Sequence, residues 1–513
     1  MSGAPGTAGT PSADYQTVAR NSVVLLTRHV LLWGLNGLLV LFLPKYLGDE
    51  GLGRLQFSLS FVMLFSIGVA LGARHFLIKE IARDRDNIQR YLGSAITLRL
   101  FAAAVVLGLI YFATRVFGDA RDAGQLVYLA ALWMVVTSFA ALLASVLQGR
   151  ERMSWAAMAE IAGKLTVVAV GIPVLVKGMG VSAYLAVLVL GAAVHCSLIA
   201  AFVARKFSVR LSVQTSQMKT LVVGGAPFLL MGFLLNVYAQ VDVVMLKAYT
   251  SDAVVGWYAA ASQLFGTVEF IPAALTTAML PAMARTYITD LEALAKIARN
   301  GVVFGAMVVV PIAVGTSLLA SELIDFLPYP DGFRNSAPLL MIMAFSIPVT
   351  AILTIFGTIA MASDRQGAWS LVLLGTVVLK VAVNVFAIPY FATAYGNGGI
   401  GGALTTVISE LFMILASFKL MPAGIFDRWA VSTLSKVAGA GLVMAVAILA
   451  MKPLDMGYLP LAAASASVYV AAVLALRAVT RADLEFIRRV MTSSTRQGKF
   501  KLKGGPIQKE ALL

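Results

Sequence analysis

KLTVVAVGIP, Lys164 to Pro173, and KVAVNVFAIP, Lys380 to Pro389, are two apolar phrases that begin on a lone lysine and close on Ile-Pro. In a helix, the lysine and proline of each phrase lie about 14 Å apart along the axis. Both phrases sit inside runs long enough to cross a bilayer, so each sets an ammonium near mid-membrane. An unpartnered charge there costs roughly 3 kcal/mol or more. A chain that bears this cost twice, at matched places, reads as a two-lobed transporter with a cationic interior. Such an interior suits an anionic, membrane-borne substrate.

The composition agrees. Of 513 residues, 59% are hydrophobic and 13% charged, with a mean hydropathy of +0.87. That balance excludes a soluble globular protein and gives an all-α, polytopic membrane protein. The net charge of +15 is a matter of topology, not of nucleic-acid binding, because most basic residues fall in short loops and in the C-terminal tail. The single cysteine, Cys196, excludes an intrachain disulfide, and His29, His75 and His195 have no metal-ligand spacing. No nucleotide-binding glycine loop or catalytic triad is legible, so neither a cofactor nor an enzymatic activity is expected. No cleavable signal is read at the N-terminus, whose first apolar run, Val23 to Leu43, lacks a small-residue cleavage site.

Fourteen apolar runs near 20 residues follow one another, the first at 21–43 and the last at 457–477. Assigning Lys and Arg to alternate loops places 28 of the 40 on the side of both termini and 8 on the other, with four inside spans. The positive-inside rule then puts both termini in the cytoplasm. An internal repeat underlies the spans. Tyr46, Asp49 and Gly53 follow span 1, and Tyr249, Asp252 and Gly256 follow span 7 at the same spacings. Ile81-Ala82-Arg83 corresponds to Met283-Ala284-Arg285, and Trp155 to Trp369. A six-span period of unchanged sense makes two parallel, pseudo-symmetric lobes. The expected divisions are an N-terminal tail at 1–20, a first lobe at 21–207, a linker at 208–219 and a second lobe at 220–420. Two further spans at 433–477 and a basic tail at 478–513 complete the chain.

The four cations inside spans, Arg28, Arg99, Lys164 and Lys380, are the candidate ligands for an anion. Arg28 and Arg99 lie about two turns from the cytoplasmic end, where long side chains can snorkel. Lys164 has Glu160 one turn before it as an alternative partner. Lys380 has no acid on its own span and only Asn384 one turn on. Four acids are also intramembrane: Glu160, Asp242, Glu269 and Glu410. They are either proton or sodium carriers or structural partners of the four cations. Pro227, Pro272, Pro311 and Pro348 mark bend points. The stretches 74–90 and 281–299 read as amphipathic surface segments, and the tail from Arg477 as an interfacial helix with a polybasic strand for anionic lipid.

Gln240-Val-Asp242, Gly256-Trp-Tyr258-Ala-Ala and Leu280-Pro281 with Arg285 resemble the polysaccharide branch of the multidrug/oligosaccharidyl-lipid/polysaccharide exporter superfamily. The resemblance covers about residues 15–480. It implies a V-shaped transporter of twelve core helices plus two in the bacterial inner membrane. That transporter would move a polyprenyl-diphosphate-linked oligosaccharide outward by alternating access, beside polysaccharide polymerase and glycosyltransferases. A lipid II flippase and a cation-coupled multidrug exporter are the alternatives. The latter would want acids rather than four cations in its cavity.

Overall fold

The computed structural model describes residues 11–84, 87–117, 121–207, 212–363, 365–422 and 424–478. Among them the chain is α-helical with short 3-10 turns and no strand. The first half comprises α1 (Pro11–Ala70), α2 (Ala73–Arg83), α3 (Asn87–Phe117), α4 (Arg121–Gly149), α5 (Met153–Val176) and α6 (Gly180–Lys206). The second half comprises α7 (Thr215–Tyr249), α8 (Asp252–Val268), α9 (Phe270–Thr289), α10 (Leu291–Leu318) and α11 (Ala320–Phe326). It continues through α12 (Ala337–Ala344), α13 (Ser346–Ala362), α14 (Gln366–Tyr395) and α15 (Gly399–Ser417). Two last helices follow, α16 (Arg428–Met451) and α17 (Tyr458–Ala475).

The breaks fall where the backbone chemistry demands them. α1 is 60 residues long, but Gly48 at φ 69° and ψ −179° divides it into two helices four residues after Pro44. Only glycine enters that region without a Cβ clash. α8 and α9 part at Glu269, three residues before Pro272, and α12 and α13 bend by 46° just before Pro348. Proline lacks the N–H and crowds the carbonyl four residues back. Pro227 and Pro311, by contrast, are carried inside α7 and α10.

Among the described residues, eleven helices are long and apolar enough to cross a membrane, twelve when the bent pair Asp331–Ala344 with Ser346–Ala362 counts as one. The fourteen runs read from sequence differ from this figure in two places. Thr27–Ala70 holds two of them in one kinked helix, and the run at 253–280 is divided between α8 and α9. The stretch 281–299 divides between two helices. It is the end of α9 and the start of α10, joined at Asp290, whose carboxylate accepts from the N–H groups of Glu292 and Ala293. Within 74–90, α2 does form a short helix. The basic tail from 479 onward lies outside the described residues.

Helices pack through small residues, as membrane helices do in the absence of a hydrophobic drive between them. On α5 and α6 a Cβ at Gly163 would lie 2.7 Å from the Gly191 carbonyl oxygen, and one at Gly191 would lie 2.4 Å from Val167. Residues 212–214 press on α3, where the Gln214 N–H donates to Ser94 Oγ at 3.0 Å. The two halves meet mainly where α1 crosses α8 and α7, and also where α7 packs on α2 and α3.

Contacts between turns define two faces. On the distal face, Asn397 donates to the Asn335 carbonyl at 3.0 Å, Lys452 pairs with Glu322 at 2.9 Å, and the Tyr329 hydroxyl donates to the Val40 carbonyl at 2.8 Å. On the proximal face, Arg74 donates to Gln148 at 3.4 Å, Arg299 pairs with Asp427, and Arg365 donates to the Leu420 carbonyl at 2.9 Å.

Candidate functional site

Six of the eight charges expected within spans form two groups: Arg28 with Glu160 in the first half, and Lys380, Asp242, Glu410 and Glu269 in the second. In the first half, α1 carries Arg28 against α5. Its Nε and Nη2 donate to the two carboxylate oxygens of Glu160 at 2.6 and 2.7 Å. This fork-to-carboxylate geometry is the strong form of an ion pair. Both side chains remain partly open, at 24% and 34% exposure. His195 of α6 and Arg74 of α2 lie within electrostatic reach of the pair.

The claim of Arg28 on Glu160 has a consequence for Lys164. One turn further along α5, Lys164 is half-buried and, among the described residues, makes no ion pair or hydrogen bond. The alternative of a Glu160 to Lys164 pair is not taken: the carboxylate is turned to α1. Arg99 is corrected too. It does not snorkel but is 3% exposed, donating to the Ser138 carbonyl and, at 3.0 Å, to the Ala70 carbonyl. Ala70 ends α1, so Arg99 caps that helix and ties it to α4.

In the second half, Lys380 has the acid that its own helix lacks. Its Nζ lies 2.7 Å from Asp242 Oδ2 on α7, donates to the Tyr238 carbonyl at 2.9 Å and sits 4.1 Å over the Tyr238 ring. Asp242 is saturated from three helices. Asn384 Nδ2 donates to Oδ1 at 2.7 Å, while the Tyr258 hydroxyl at 2.9 Å and the Thr406 hydroxyl at 3.2 Å donate to Oδ2. Lys380 and Asp242 are both 3% exposed. The pair thus ties α7, α8, α14 and α15 together in a place water does not reach.

One turn beyond Thr406 on α15, Glu410 is 5% exposed. One of its oxygens accepts from the Thr350 hydroxyl of α13 at 2.9 Å. The other is buried without a hydrogen bond among the described residues. Glu410 lies within electrostatic reach of Lys380, and Glu269 within reach of Glu410. Glu269 itself is exposed, at the break between α8 and α9. Of the eight charges, four therefore form two ion pairs. The sequence reading did not name Tyr238, Thr406, Thr350 or Arg74 as contributors. The spacing of Thr406 and Glu410, one helical turn apart on α15, was the available signal for two of these contacts.

The family model described as polysaccharide biosynthesis protein matches residues 18–287, more than half of the chain. The chain belongs to the polysaccharide biosynthesis protein family. A second model, MatE, matches residues 227–386. Among curated relatives of the family, the "Probable low-salt glycan biosynthesis flippase Agl15" of Haloferax volcanii is 21% identical over 442 residues, covering 85% of this chain and 90% of the relative. The lipid II flippase MurJ in an inward closed conformation is similar in fold, with a TM-score of 0.71 at 13% identity over 92% of this chain and 99% of that one. An inward-facing multidrug resistance MATE family transporter of the MOP superfamily gives a TM-score of 0.63 at 15% identity, over 78% and 98%. The chain thus shares its fold with these two solved structures.

Proposed function

We propose that this chain is a flippase for polyprenyl-diphosphate-linked oligosaccharides, carrying them from the cytoplasmic to the outer leaflet of a bacterial inner membrane by alternating access. The proximal face would be cytoplasmic, in line with the 28 basic residues assigned to that side. Lys164 is the observation that carries the reading. It is a half-buried ammonium within a candidate span, unpaired among the described residues, one turn along α5 from Glu160, the partner of Arg28. A charge so placed is stabilised by an anionic ligand, and an ammonium serves phosphate as a flexible point charge. Lys380 and Arg99 were sequence candidates for the same contact. Both are 3% exposed and held by protein partners, which favours a role in holding helices together; Arg28 is paired too but 24% exposed, so the proposed diphosphate contact rests on Lys164 with Arg28.

Leaving a cell that is negative inside is worth about 2.3 kcal/mol per elementary charge per 100 mV, which favours outward movement of a dianion. Glu410 and Glu269 are the proposed carriers of a coupling proton or sodium ion. Glycosyltransferases and a polymerase would supply and consume the substrate.

The test is reconstitution in liposomes with a polyprenyl-diphosphate oligosaccharide, scored by access of the sugar to a lectin on the far side. Lys164→Ala should slow flipping at least about tenfold, and Lys164→Arg should retain part of it, since charge matters more than fork geometry for a mobile ligand. Wild-type flipping by a folded Lys164→Ala protein would sink the diphosphate site. The likeness in fold to the lipid II flippase over 92% of the chain supports a second reading. Lipid II offered in the same assay decides between them.

A further inference from the structure

Tyr46, Asp49 and Gly53 in one half and Tyr249, Asp252 and Gly256 in the other stand at identical spacings. Each set turns from one membrane helix into the next, and Asp49 and Asp252 both occupy the first turn of the second helix. In the structure these two turns face each other across the junction of the halves on the distal face. A Cβ at Gly53 would lie 1.9 Å from the Asp252 carbonyl oxygen, and a Cβ at Gly256 would lie 1.9 Å from the Asp49 carbonyl oxygen. The residue after each glycine reaches the same partner's carboxylate. Arg54 Nε donates to Asp252 Oδ2 at 3.2 Å, and Trp257 Nε1 donates to Asp49 Oδ2 at 3.0 Å. Both the close approach and the hydrogen bond are therefore exchanged reciprocally, as at a two-fold axis.

We infer that these two turns form a reciprocal latch that closes the distal face and must part for each transport cycle. The inference rests on the alternating-access reading above but not on any choice of substrate. Two features fit a contact that opens repeatedly. Each carboxylate keeps a partner within its own half after separation: Asp252 Oδ1 is held by Lys247 at 2.6 Å, and Asp49 Oδ1 accepts from the Glu50 N–H at 2.9 Å. Opening thus strands no charge. The glycines also set the backbones close enough that any side chain would hold the turns apart, so closure depends on two positions that a single methyl would block.

The test uses the full chain in nanodiscs, without substrate, on a Cys196→Ala background. Spin labels are placed at Lys177 and Tyr395, exposed residues at the distal ends of α5 and α14. Electron–electron resonance then reports the distance between the halves. Gly53→Ala and Gly256→Ala should move most of the population to longer distances. The double variant Arg54→Met with Trp257→Phe removes both hydrogen bonds and leaves an apolar side chain at each position. It should raise the ratio of open to closed molecules about tenfold. If the glycine variants do not fold, the double variant decides alone. A wild-type distance distribution in every folded variant overturns the latch. Failure of an oligosaccharide transport assay bears on the substrate and leaves this measurement unaffected.

Discussion

Two lysines that look alike in sequence have opposite circumstances. Lys380 is sealed with Asp242 inside the second half, while Lys164 is left unpaired because Arg28 holds Glu160. Removing one member of a buried pair costs about 3–5 kcal/mol, since the other charge remains in a place without water. Lys380→Ala should therefore lower stability by about that much in a denaturant titration, and adding Asp242→Asn should restore more than half of the loss. A single variant as stable as wild type would contradict the buried pair. Glu160→Gln tests the other cluster. It frees Arg28 to join Lys164, so the apparent KM for a diphosphate-linked substrate should fall about threefold or more. An unchanged KM would show that Arg28 does not face the ligand. Both lysines were legible in sequence as misplaced charges. The partners of Lys380 were not, because it reaches Asp242 and Tyr238 on α7, the latter 142 residues away, and no local spacing links them.

At the scale of helices, glycine and proline write most of the breaks. Pro44 with Gly48, Pro272 and Pro348 each stand within a few residues of a bend. Pro227 and Pro311 look the same in sequence yet sit inside continuous helices. Neighbouring helices and side chains can satisfy the freed carbonyls, so a proline marks a permitted bend and packing decides whether it is taken. The contact of α5 with α6 is a sharper case. Gly191→Ala would place a methyl 2.4 Å from Val167 Cγ2 and 2.8 Å from the Gly163 carbonyl oxygen. Overpacking of this kind costs about 1–3 kcal/mol. Thermal unfolding in nanodiscs should show a midpoint lowered by several degrees, whereas Gly108→Ala, with open space around it, should leave it unchanged. Equal midpoints for the two variants would mean that this helix contact is looser than described.

For the molecule as a whole, the contacts that define the two faces make a topology test direct. Single cysteines at Pro330 and Lys452 on the distal face should react with an impermeant maleimide from one side of the membrane only. Cysteines at Asp290 and Arg365 on the proximal face should react from the other. Labelling of all four from one side would overturn the assignment of faces. The sequence alone determined that the chain is a helical membrane protein, and it offered the repeated Tyr-Asp-Gly spacing and the eight charges within apolar runs. Each of these follows from composition, from hydrophobic run length or from spacing along one chain, and such signals are local. Only the tertiary structure decided which of those charges neutralise one another, and that the repeated Asp and Gly turns grip each other rather than merely correspond. These are contacts between helices distant in sequence. They depend on distances of a few ångströms between backbones, which the order of residues along each helix does not specify.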